Sequence, residues 1–162
     1  MKKTLFIVTA LIMSVFATNA NNVTVANVSL TGQDVSAGLN HVSNFTNIKF
    51  DVSWENSWRV SGTGTPNNWD AVWVFAKFKE AGSGQLFQHA KISVDPAHHA
   101  VGTNNGVGAT ITPSSDGMGV FIYRSADGSG NINWEDITLR WMYRQSPNAV
   151  HDTMNVTLQV FA

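Results

Sequence analysis

Trp54, Trp58, Trp69 and Trp73 fall close together in the chain. They are the residues whose type and spacing most suggest chemistry. An indole face packs against the axial C–H groups of a sugar ring, or it fills a protein core. Trp54 alternates with Phe50 and Val52 and is expected in the core. Trp58 and Trp69 stand beside polar strings, Asn56-Ser57 and Pro66-Asn67-Asn68, with Asp70 directly following. The candidate ligand-binding set is therefore Trp58, Trp69, Asn68 and Asp70. It offers rings to stack and an amide and a carboxylate to hydrogen-bond. The same two rings could instead plug the ends of the fold, and the sequence leaves both readings open.

Other groupings are weaker. Asp127-Gly128-Ser129-Gly130-Asn131 resembles the start of a calcium loop, but Ca²⁺ takes 6–8 oxygen ligands and this string supplies a few at most. A turn needing positive φ explains each of its residue types, so it is read as structural, with no dependence on Ca²⁺. His98-His99 follows Asp95-Pro96, yet neighbours on an extended chain point apart and rarely hold one ion together. No metal-binding motif, Gly-x-Ser-x-Gly elbow or cysteine accompanies the serines and histidines. Nothing selects a carboxylate pair for glycoside hydrolysis. The sequence thus predicts no catalytic residue, no metal site and no cofactor.

The elements that position these side chains are strands. Ile48, Phe50, Val52 and Trp54 alternate with Lys49, Asp51, Ser53 and Glu55, as in a half-buried strand. Ile137–Tyr143 and Met154–Val160 alternate in the same way, and Leu86–Val94 does so weakly. Val72–Phe78 is apolar on both faces apart from Lys77, which suggests a central strand covered on both sides; Val120–Tyr123 is similar. The first strand, Val23–Leu30, slips its alternation near Asn27, suggesting a bulge. Gly62–Asn68, Gly82-Ser83-Gly84, Asn104-Asn105-Gly106, Asp116-Gly117 and Asp127–Asn131 supply turns. No helical period is convincing. Eight or nine strands at this spacing predict an all-β fold, a single antiparallel β-sandwich of jelly-roll-like type. Its expected core includes Phe50, Val52, Trp54, Val74, Leu139, Trp141, Val156 and Leu158.

Residues 1–20 read as a signal peptide. Lys2 and Lys3 precede the apolar run Leu5–Phe16, and Thr18-Asn19-Ala20 offers a cleavage site after Ala20. Residues 21–162 then form one domain, secreted or held at the cell surface or in the periplasm. The apolar run is too short to span a bilayer. Ten basic and eleven acidic residues give a net charge of −1, which becomes about −3 once Lys2 and Lys3 are removed. Such a surface argues against a nucleic-acid partner. With no cysteine, stability must come from the core or from assembly.

Five strings carry a resemblance: Asn27–Gly32, Phe50–Arg59, Pro66–Phe75, Phe121–Gly130 and Leu158–Ala162. Together they resemble the N-terminal β-domain of secreted Bacteroidota-type sulfatase-modifying-factor (formylglycine-generating-enzyme-like) proteins. The resemblance covers nearly all of residues 23–162. It implies an accessory module whose enzyme domain would begin shortly after Val160-Phe161-Ala162, so no catalytic residue carries over; a stand-alone protein and a fragment of a longer one both remain open. The expected function is a non-catalytic, secreted module for binding another extracellular protein or for self-assembly. The alternative is a carbohydrate-binding module that takes a neutral glycan on Trp58 or Trp69, and a small glycan-active enzyme ranks last.

Overall fold

Alternating apolar and polar side chains put one face of each strand in water and the other in the core, so the long runs of period two become the long strands. A computed structural model of the chain describes residues 21–62, 66–102, 106–145 and 149–162. The expected signal peptide, Thr63–Thr65 of the glycine-rich loop and Asn104-Asn105 lie outside the described residues. The strands are β1 (Thr24–Asp34), β2 (Phe45–Val60), β3 (Asn68–Trp69), β4 (Val72–Glu80), β5 (Gln88–His89), β6 (Ala109–Pro113), β7 (Val120–Arg124), β8 (Gly128–Trp141) and β9 (Val156–Phe161). A 3₁₀ turn spans Pro96–His98. Among the described residues no helix is long and apolar enough to cross a membrane.

The protein is an antiparallel β-sandwich. In the first sheet β2 pairs with β8 along one edge, and with β1 and then β3, end to end, along the other. In the second sheet the order is β5-β4-β7-β6, and β9 also pairs with β4. One apolar core lies between the sheets. Phe50, Val52, Trp54, Val74, Leu139 and Trp141 are buried in it as expected, with Ile48, Ile122 and Trp134 beside them. Trp54 and Trp134 meet edge to face, their centroids 5.0 Å apart. Val156 and Leu158 depart from expectation: β9 flanks the sheet, so they are half-buried against the core rather than inside it.

Bulges set which residues face inward. Near Asn27 (φ 53°) β1 shifts register against β2, as the slipped alternation suggested. In β8 an extra residue at Asp136 (φ 56°) joins two alternations, Ile132/Trp134 and Ile137/Leu139/Trp141, into one strand that stays apolar inside. This corrects the reading of Asp127–Asn131 as a hairpin turn. Gly128–Asn131 already belong to β8, Gly128–Gly130 pairing with Ser57–Arg59 of β2, while β7 lies in the other sheet. The link is a crossover between sheets. Gly128 (φ 148°) and Gly130 (φ 120°) do take the positive angles expected of them.

Two further expectations change. Leu86–Val94 is no continuous strand: only Gln88-His89 pair with β4, and Leu86 is 87% exposed. Val72–Phe78 is buried on one face only. Its second face, Trp73, Phe75 and Lys77, is only half-buried.

Candidate functional site

The geometry around the tryptophans follows from one bulge. Between Trp54 and Ser57 the β2–β8 register shifts, and Asn56 takes φ 57°. Even-numbered residues face inward up to Trp54; beyond the bulge the odd-numbered ones do. Ser57 is thus fully buried and Trp58 is turned out to 40% exposure. Without the extra residue Trp58 would join the core.

Asp70 ties this end of the sandwich together. Its carboxylate accepts from the Trp54 indole Nε1–H at 3.0 Å, the Ser57 hydroxyl at 3.1 Å and the Trp58 backbone N–H at 2.9 Å. The buried Arg124 guanidinium donates in turn to Ser57 Oγ at 3.1 Å and to the Gly130 carbonyl at 2.8 Å. A buried cation so held needs every one of these acceptors. Arg59 donates to the Arg124 carbonyl at 2.7 Å and approaches Asp127 at 3.8 Å. Asp127 accepts from the Ser61 hydroxyl and backbone N–H, which hold its carboxyl below the usual carboxylate value.

The four sequence-selected residues therefore separate. Asp70 is committed to internal bonds. Asn68 is exposed and pairs with Val60 across the β2–β3 ladder. Trp69 lies opposite Arg59, one residue on from Trp58, so the two indoles project to opposite faces of that ladder and form no joint platform. Trp69, 39% exposed, stacks on Tyr123 with centroids 5.2 Å apart and planes 23° from parallel. The Arg59 guanidinium lies 5.3 Å from the Trp69 ring and 5.8 Å from that of Tyr123.

What sequence reasoning missed begins at Tyr123 and runs across the outer face of the second sheet. On β7, Phe121 is 45% exposed and packs on Trp73 of β4, centroids 4.7 Å apart. Gly119 makes room for that ring, since a Cβ there would come within 2.6 Å of Trp73. Phe75 stacks on Phe161 of β9 at 5.1 Å. Lys77 lies 6.0 Å from the Phe75 ring and Lys79 4.9 Å from that of Phe87. Neither lysine forms an ion pair among the described residues. The signal was present in the sequence as a β4 apolar on both faces, but it was read as burial beneath a further layer.

His98 and His99 serve the fold. His98 Nδ1 lies 2.7 Å from Ser93 Oγ, and His99 bridges the Ser93 carbonyl through Nε2 and the Arg140 N–H through Nδ1. Burial pushes the His99 pKa down. Among the described residues no three His, Asp or Glu side chains group as metal ligands would.

Fold and surface together define a β-sandwich with an aromatic, lysine-edged outer sheet face. No family model, curated protein or solved structure matches the chain.

Proposed function

We propose that this domain is a non-catalytic binding module, exported as the signal-like segment suggests, whose docking face is the outer surface of the second sheet. One observation carries the reading: the aromatic row Trp69, Tyr123, Phe121, Trp73, Phe75 and Phe161, half-buried to exposed among the described residues. Contiguous exposed apolar patches mark interaction sites, and aromatic residues concentrate in the centres of interfaces. Lys77 and Lys79 state the partner's chemistry: a protein surface carrying apolar side chains with carboxylates beside them. The resemblance to an accessory β-domain supports the same reading. Phe121→Lys and Phe161→Lys alter exposed positions and should leave the fold intact. The wild type, immobilised, should retain an acidic exported protein that the double variant does not; equal retention by both removes the face from consideration.

A second reading is favoured by Trp69, which is 39% exposed and held by its stack on Tyr123, as a platform for a neutral sugar ring. A glycan array that responds to the wild type and not to Trp69→Ala supports it. A blank array, or a fluorescence quencher that leaves Trp69 untouched, removes it.

A further inference from the structure

The two seams of the sandwich are finished differently. One is sealed by residues 88–100. Gln88-His89 pair with β4, and the chain then crosses to β8, where Ile92 bridges Trp141 and Ala100 bridges Thr138. The opposite seam runs between β1 and β9, each of which has a ladder on one side alone among the described residues. Between them lies a cavity of about 300 Å³. Trp141 and Tyr143 line it from within, and Leu30, Met154 and Val156 come from its two lips.

The polar groups at its end are spent on one another. The Tyr143 hydroxyl donates to Asp152 Oδ1 at 2.8 Å, and the Gln33 amide donates to the Tyr143 oxygen and to the Asp152 carbonyl. The Asn40 N–H and the Asn44 amide also donate to the Asp152 carboxylate. A polar small molecule would find few partners here. An apolar side chain would find a fitting wall, and the unpaired edges beside it call for an extended backbone.

The lips carry a second signal. β9 contains no charged residue and no proline, and the only charge in β1 is Asp34 at its end. Monomeric proteins blunt edge strands with lysine, proline or a cover. In a two-fold contact, residues near the axis meet their own copies, so any charge there faces a like charge. An uncharged lip satisfies that condition, whereas the outer face of β2, with Lys49, Asp51 and Glu55, does not.

We propose that the open seam is a self-association site. A second copy of the chain lays its own seam against this one, β9 pairing antiparallel with β9, so that the second sheet continues across both molecules and apolar lip side chains close the cavity. The proposal goes beyond the binding reading: its interface is the free edge of β9, which adjoins the aromatic face at Phe161 and leaves Phe121 of β7 outside it. Sedimentation velocity on the purified protein over a wide concentration range tests it, together with amide exchange. The wild type should pass from monomer to dimer, with β9 amides exchanging more slowly in the dimer. Leu30→Lys and Thr157→Lys, both at exposed lip positions, should weaken the dimer roughly tenfold or more, while Phe121→Lys leaves it unchanged. A strict monomer, or lip variants that dimerise like the wild type, would overturn the seam and leave the aromatic-face reading standing. Loss of the dimer in Phe121→Lys alone would overturn it too, by moving the interface to the aromatic face.

Discussion

Replacing Asp70 separates a ligand-binding carboxylate from a structural one. In Asp70→Ala, the Trp54 indole N–H and the Ser57 hydroxyl lose their acceptor. Both side chains are essentially buried, so water cannot readily take its place. The Trp58 N–H lies nearer the surface and can turn to solvent. A buried donor left unmet costs about 1–3 kcal/mol, so the two together should cost about 2–6 kcal/mol. Arg124 adds to this, because Ser57 links its guanidinium to Asp70 and would lose its orientation. Asp70→Asn keeps the shape but offers one acceptor oxygen and turns an N–H₂ toward a donor, so about 1–3 kcal/mol is expected. For a domain of this size the alanine variant should melt roughly 5–25 °C below the wild type. Urea titration with an unchanged slope would confirm that stability, not compactness, has moved. If Asp70→Ala melts within about 2 °C of the wild type, the three hydrogen bonds do not hold this end of the sandwich. The carboxylate would then be free for a ligand, as the sequence alone allowed.

Two further outcomes follow from the core and from His99. Trp141 is buried against Phe78, centroids 4.8 Å apart, and Trp141→Ala should cost about 3–5 kcal/mol through the cavity it leaves, read from chemical denaturation. Burial holds the His99 pKa below its ordinary 6.5, so the folded state takes up this proton less readily than the unfolded chain. The stability tied to this group is complete above pH 6.5 and is lost as the pH falls through the interval down to the folded value. His99→Gln keeps a donor for the Ser93 carbonyl and should flatten the wild type's decline in melting temperature over that range; a parallel decline in both proteins would assign it to other groups.

Much of the fold was legible because the code for a half-buried strand is local. Phe50, Val52 and Trp54 needed only their own alternation to be placed inside, and Ile137, Leu139 and Trp141 likewise. The slip near Asn27 announced its bulge because apolar and polar positions exchange there. The sheet to which each strand belongs is not local information. Asp127–Asn131 has the composition of a turn, and only the pairing of Gly128–Gly130 with β2 shows that the chain is changing sheets.

The sequence by itself determined that this chain is all-β, where most strands run, and which side chains must leave water, since hydrophobic periodicity acts over a few residues. Tertiary structure alone decided the surface. The extra residue at Asn56 turned Trp58 outward and Ser57 inward, and the Asp70 carboxylate was consumed by donors from β2. The second apolar face of β4 ended half-buried rather than buried, because whether such a face is covered depends on elements distant in sequence. Among the described residues the β1–β9 seam stayed open while residues 88–100 closed its counterpart, because sealing an edge depends on where a connecting segment crosses between sheets.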